Sequence, residues 1–385
     1  MSPFCCNDLY RRLGQARRPP GPTSVYRKSI TSCSCALVCS CIVALSLPIP
    51  AAGQESVEIC NELLPQMQQS HIPDLALASF ANGNVHTYYC SVNSRLLGAK
   101  TVFEAASLSK PIFSAAVLTL VQQRRLDLDR PLSAYLSGPY QHEQDPFGPG
   151  KSDTVTDPRL SRVTTRMILS HTSGLPNWSR HQPLAFLADP GQKWIYSGEG
   201  YVYLQRVVES ISGQDLQTFV QKNVFNPLGM THSSFVWRPA FTGEFLTPHA
   251  ADGSPSVPEY YTNALAASTL YTTLDDYAKF VSTLLHPRRG SVSALQETKQ
   301  TDVDARLKLG WGLGVAVEEA SRKVYFHWGA NPGFQSFFMM QPASGRGVLF
   351  FTDSDNGLDL LDTVVAEFIP GDHPALQFPM LHPKD

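Results

Sequence analysis

No Gly-x-Ser-x-Gly pentapeptide occurs in the 385 residues, which removes the strand–turn–helix nucleophile elbow of the α/β-hydrolases. His142-Glu143 is not followed by a second histidine at helical spacing, so the zinc-protease pattern is missing as well. Cysteine is scarce where a folded body would need it. Six of the eight (Cys5, Cys6, Cys33, Cys35, Cys39, Cys41) fall before residue 42, leaving only Cys60 and Cys90. A scaffold stapled by several bridges is therefore excluded. The last two are compatible with one disulfide or with two small buried thiols. No basic stripe runs along any segment of the body, so nucleic acid is not an expected partner. Internal repeats, heptads and low-complexity blocks are also missing, which argues against solenoids and coiled coils.

Charge is unevenly placed. Residues 1–53 hold Arg11, Arg12, Arg17, Arg18, Arg27 and Lys28 against Asp8, a net +5 that leaves −7 in the remainder. After these basic residues comes Cys33 to Leu47 (CSCALVCSCIVALSL), uncharged and mostly apolar. Pro48 and Pro50 break it, and Ala51-Ala52-Gly53 offers the small residues a signal peptidase needs. The run is shorter than the roughly 20 residues of a comfortable membrane-spanning helix. Residues 1–53 are thus expected to be an export leader, with an uncleaved membrane anchor as the alternative. Export leads to the periplasm or the exterior, an oxidising setting in which a Cys60–Cys90 bridge could form.

The body, 54–385, is read as one domain. Glu55 to Gln69 has helical spacing, and Asp74–Phe80 and Val85–Val92 read as strands joined through Asn82-Gly83. A strong helix is expected over Ser107–Leu126, with Pro111 in its first turn. The middle, about 127–285, mixes short helices (Gly200–Ile211, Gln214–Val224, Leu274–Leu285) with loops, including an irregular Gly/Pro-rich stretch over Gly138–Asp157. Strands return at Gly312–Val317, Lys323–Trp328, Phe334–Gln341 and Gly347–Asp353, before a last helix over Leu358–Phe368. Strands at both ends of a chain can meet in one antiparallel sheet. The expected class is α+β, with helices flanking that sheet and a mostly helical second lobe inserted into it. A cleft between lobes is a natural site.

Three short stretches carry chemistry. Ser107-Leu108-Ser109-Lys110 places a serine and a lysine on one helix face. A neutral serine is a poor nucleophile and needs a base beside it, and a buried lysine loses its proton more readily. Tyr196-Ser197-Gly198 lies in WIYSGEGYVY, and His327-Trp328-Gly329 in FHWGANPGF. Each alone is common: a helix cap with a solvated lysine, a core tyrosine, a structural histidine. Their order and company are less so, and they come with Ile168–Pro176 (ILSHTSGLP), Asn226–Met230 (NPLGM) and Ala267–Phe280 (ASTLYTTLDDYAKF).

Together these stretches resemble the SxxK, YxN and KTG or HxG elements of the serine penicillin-recognising enzymes, closest to the class C β-lactamase, D-aminopeptidase and esterase branch. The resemblance runs from about residue 57 to 368. It implies the β-lactamase/transpeptidase-like two-lobed fold. It further implies Ser107 as an acylated nucleophile and Lys110 with Tyr196 as the proton-transfer pair. His327 takes the place of the KTG lysine, and the backbone N–H groups of Ser107 and Ala330 form an oxyanion hole beside Gly329. The implied reaction is acyl transfer from an amide, peptide or ester to serine and then to water, and it requires no metal or organic cofactor. His171 reads as a hydrogen-bonding residue at a turn, and Glu199 as exposed or behind the site.

Two departures bear on the substrate. Gly198 stands where the family's asparagine contacts a substrate amide, so restoring asparagine is expected to favour β-lactams. His327 replaces a permanent cation by a side chain that is mostly neutral at pH 7 and gains charge towards pH 6. A true β-lactamase is thus the runner-up among enzymes, and an inactive binding or sensor protein the alternative outside them. If the leader is cleaved, N-terminal sequencing of material from the native host is expected to begin near Gln54. A start upstream of Cys33 in membrane-bound material would instead support the anchor.

Overall fold

The computed structural model describes residues 52–148, 150–286, 295, 299–319 and 322–382, so the basic leader and its apolar run lie outside the described residues. Two strands from early in the body, β1 (Asp74–Ala81) and β2 (Asn84–Ser91), join a later group. That group is β7 (Thr301–Asp304), β8 (Leu309–Trp311), β9 (Ala316–Glu318), β10 (Val324–Asn331), β11 (Phe334–Gln341) and β12 (Arg346–Thr352). They form one eight-stranded antiparallel sheet in the order β2-β1-β12-β11-β10-β9-β8-β7. The closure of the two chain ends occurs where β1 pairs with β12, Leu77 opposite Phe350. Asn82 and Gly83 both have positive φ and make the β1–β2 turn.

The central strands are covered on both faces, which explains why they read as nearly continuous apolar runs. From β1, Leu75 and Leu77 enter one core while Ala76, Ala78 and Phe80 enter the other. The first core is closed by α1 (Ala52–Gln69) and the C-terminal helix Leu361–Phe368. The second is closed by α2 (Ser109–Gln122) and the helix Leu274–Leu285. Helix α2 is buried all round from Ser109 to Leu118, as expected for a helix held between the sheet and a second lobe. Cys60 on α1 and Cys90 on β2 are disulfide-bonded, Cα atoms 5.3 Å apart, which settles the alternatives left open by their spacing.

Between β2 and β7 the chain forms two small two-stranded sheets, β3 (Val102–Glu104) with β6 (Tyr271–Thr273), and β4 (Gln141–Glu143) with β5 (Ser152–Thr154). It also forms α3 (Thr165–Leu169), α4 (Gly198–Ser212), α5 (Leu216–Val220), α6 (Asn226–Leu228) and α7 (Leu274–Leu285), with Leu361–Phe368 following as α8. The stretch over Gly138–Asp157, expected to be irregular, contains the β4–β5 hairpin. Its strands are three polar residues each, too short to show a period of two. Helix α7, expected inside the inserted lobe, packs instead on β12, β1 and β11. The helix expected to begin at Ser107 begins at Ser109, because Ala106 has φ +48° and bends the chain into a tight 3₁₀ turn over Ala106–Leu108. Among the described residues no helix is long and apolar enough to cross a membrane.

Candidate active site

The turn Ala106–Leu108 is buried on both sides of Ser107, leaving that serine as the partly exposed residue within it. A non-glycine residue at φ +48° is a strained conformation that persists only where its surroundings hold it. Here the holding group is β10. Ser336 on neighbouring β11 donates its hydroxyl to the Ala105 carbonyl at 2.9 Å. A methyl group placed on Gly329 would stand 2.4 Å from that carbonyl oxygen and 2.5 Å from Ser336 Oγ. Glycine is therefore required for the strand to lie this close, and the next residue, Ala330, is brought exposed to the edge of the turn.

Lys110, the second residue of α2, is 1 % exposed. Its Nζ lies 3.0 Å from Ser107 Oγ and donates to the Ala267 carbonyl at 2.8 Å. The rings of Tyr196 and Tyr201 lie 4.8 and 5.6 Å away. No carboxylate forms an ion pair with it among the described residues. Burial without a counter-charge penalises the ammonium form, and the pKa falls to about 7. The arrangement places an amine whose burial favours its neutral form within hydrogen-bond distance of the Ser107 hydroxyl.

The other expected residues converge on the same place. Tyr196 precedes α4, and burial pushes its phenol pKa up while the Ser107 hydroxyl opposes that rise. Its hydroxyl makes no complete hydrogen bond. His327 is fully buried on β10, its ring 6.3 Å from that of Tyr196. Its Nδ1 donates to the Trp328 carbonyl at 2.7 Å, which leaves Nε2 as an acceptor without a partner. Ser268 Oγ, beside the carbonyl that holds Lys110, is likewise buried and unpaired. Unsatisfied buried polar atoms are rare, and a cluster of them around one hydroxyl suits a site that a ligand completes. His171 fills its expected place: φ +56°, fully buried, its Nδ1 accepting the Ser197 N–H at 3.1 Å.

Two expectations are corrected. His327 does not gain charge towards pH 6, because burial first and Lys110 second push its pKa down to about 3. Gly198 is not a vacant asparagine position. A methyl group there would meet the Asn177 carbonyl at 2.7 Å and the Trp178 ring at 2.9 Å. Of the two alternatives for Glu199, exposed or behind the site, the structure has it fully buried. Trp178 carries no motif of its own, yet its ring meets Phe147 edge-on at 5.0 Å, with Tyr261 a further 6.0 Å from Phe147. This aromatic arc runs from the Gly198 side of the site to the β10 side, where Asn331 donates to Glu104 at 2.6 Å and Glu104 is also hydrogen-bonded by Tyr261. Glu104 is held up to about pKa 7, chiefly by burial. Neither pair had a signal in the sequence, since partners so far apart in the chain share no spacing.

The chain belongs to the Beta-lactamase family, whose model matches residues 61–366. It is 29% identical over 162 residues to Penicillin-binding protein 4* of Bacillus subtilis, covering 36% of this chain and 32% of that protein. Over 191 residues it is 29% identical to the Lovastatin esterase of Penicillium rubens, covering 41% and 44% of the two. The matches thus span less than half the length of these two relatives. The fold matches that of the D-alanine carboxypeptidase AmpC from Burkholderia cenocepacia with a TM-score of 0.68 at 15% identity, over 82% of this chain and 99% of that one.

The packing around the two glycines is open to a direct check. Gly329→Ala should force β10 away from the Ser107 turn and slow acylation by on the order of 10²-fold. Gly198→Asn should lower stability by about 1–3 kcal/mol through overpacking against Trp178, rather than create a new substrate contact. Melting curves with labelling rates decide both, and an unperturbed Gly198→Asn protein with raised β-lactam turnover would contradict the second.

Proposed function

We propose that the protein is a serine hydrolase that cleaves uncharged esters, amides or peptides through an acyl-enzyme on Ser107. The observation that carries this reading is the buried Lys110 amine, 3.0 Å from Ser107 Oγ and with its pKa near 7. In the first step Ser107 Oγ attacks the carbonyl carbon while its proton passes to the Lys110 lone pair. The oxyanion is received by the backbone N–H groups of Ser107 and Ala330. The proton then moves to the departing alcohol or amine. Tyr196, a neutral phenol at physiological pH, stands beside this path as a relay. Water repeats the sequence on the acyl-enzyme and restores Ser107.

Substrate class follows from the electrostatics. A substrate carboxylate needs a cation, and His327 is neutral throughout the physiological range. A missing charge-assisted hydrogen bond costs roughly 1.5–3 kcal/mol, about 10- to 100-fold in kcat/KM. Neutral substrates lose nothing, and the arc of Phe147, Trp178 and Tyr261 offers an apolar wall. The family match and the likeness to a Lovastatin esterase are consistent with a serine hydrolase, while the choice of uncharged substrates over β-lactams rests on the neutral His327. Export through the basic leader into the periplasm or exterior belongs to the same proposal and agrees with the Cys60–Cys90 bridge.

A fluorophosphonate probe followed by intact-mass analysis tests it. One adduct is expected, lost in Ser107→Ala, and slowed by about 10² or more in Lys110→Ala. The labelling rate should rise with pH through a midpoint near 7, since the neutral amine is the competent base. Short p-nitrophenyl esters should be hydrolysed faster than nitrocefin. Labelling at Ser109 or Ser197, or nitrocefin turnover well above any simple ester, would overturn the reading.

A further inference from the structure

A second charged cluster lies behind the Tyr196 turn, outside the groups used above. His142 on β4 is fully buried. Its Nδ1 lies 2.9 Å from Asp153 Oδ1 on β5, and its Nε2 lies 3.2 Å from Glu199 Oε2 on α4. When both carboxyl groups are ionised they only accept, so both ring nitrogens then donate, which requires the imidazolium with its two N–H groups. Glu199 is fully buried too, and its other oxygen accepts the Ser179 N–H at 2.8 Å. Ser179 closes the loop that bears Asn177 and Trp178. That loop is seated on the turn after Tyr196: Asn177 Oδ1 accepts the Gly198 N–H at 3.0 Å, and the Asn177 carbonyl accepts the Glu199 N–H at 3.0 Å. The Trp178 ring rests on Gly198.

We propose that His142, Glu199 and Asp153 form a charged clamp that seats the Asn177–Trp178 loop on the Tyr196–Gly198 turn and releases it when the imidazole loses its proton. His142 and Glu199 are positioning residues in this account, acting through the loop. With the imidazolium present, two carboxylates share one cation. Without it, a fully buried Glu199 carboxylate has no counter-charge, an unfavourable state that is relieved by letting Glu199, and Ser179 with it, move toward water.

The surrounding titratable and charged groups do not substitute. Tyr140 and Glu143 on the same hairpin and Tyr203 on α4 bring no positive charge. Arg206 on α4 is engaged by Glu143 at 2.9 Å, and His181 by Asp145 at 3.7 Å. Burial alone would lower the His142 pKa, but its hydrogen bonds to Glu199 and Asp153 outweigh that and raise it above the ordinary histidine value. The sign follows: the clamp is fully formed below pH 6.5 and is lost as pH rises through the raised value.

The direct readout is Trp178 fluorescence, taken as the wild-type emission minus that of Trp178→Phe, titrated from pH 6 to 9.5. The wild type should show one transition above pH 6.5. Asp153→Asn, which removes one carboxylate at a partly exposed site, should move the transition to lower pH by about one unit. His142→Gln should abolish it. A wild-type signal that does not change with pH overturns the proposal, and so does a transition that Asp153→Asn leaves in place; the latter variant decides even if His142→Gln does not fold. The kinetic consequence alone rests on the proposed function. Ser107 labelling should fall over the same alkaline range and follow the same shift in Asp153→Asn. If Ser107 is never labelled, the hydrolase reading fails while the Trp178 titration still decides the clamp. If the Trp178 transition occurs without any alkaline loss of labelling, the clamp's link to Tyr196 is overturned.

Discussion

An amine sealed away from water, 1 % exposed and with no carboxylate partner among the described residues, is what the site is built around. Left in solvent, Lys110 would be an ammonium and useless as a base. Burial lowers its pKa to about 7, and that burial is the joint work of segments far apart in the chain. Helix α2 presents the side chain, the segment before β6 supplies the Ala267 carbonyl, the turn entering α4 brings Tyr196, α4 itself brings Tyr201, and β10 brings His327. The insertion of a helical lobe into a sheet made from both chain ends lets these segments meet. The same dry environment keeps His327 and His171 neutral, since burial and the nearby Lys110 both oppose a further positive charge.

Close approach is the second requirement. The Ser107 turn is strained at Ala106 and is held by a strand that can reach it only because residue 329 has no side chain. Gly198 plays the corresponding part on the other side, where Trp178 and Asn177 occupy the space that a larger residue would need. The space beside Gly198 is therefore filled by the Trp178 ring and the Asn177 carbonyl.

Much of this was legible before the structure. Strand β1 was readable because its alternate residues enter two different cores, and the union of both chain ends followed from the order of elements. Ser107, Lys110, Tyr196 and His327 were readable because three short stretches occur in one order with supporting segments between them. What stayed hidden depends on tertiary context. The β4–β5 hairpin is polar and three residues per strand, so it has no periodic signature. The neutrality of His327 depends on burial and on Lys110, neither visible in the triplet His327-Trp328-Gly329. His142 and Glu199 are 57 residues apart, and only the fold puts one imidazole between Glu199 and Asp153.

The central claim is that burial leaves Lys110 neutral beside Ser107, and its titration can be measured without relying on turnover. Nitrogen-detected NMR of the lysine side chains in the Ser107→Ala protein, assigned by comparison with a Lys110→Met control, would report it directly. A midpoint near 7, against the ordinary 10.5, is the expected result. A midpoint near 10.5 would mean that the amine remains an ammonium at physiological pH, and the proposed base would not exist.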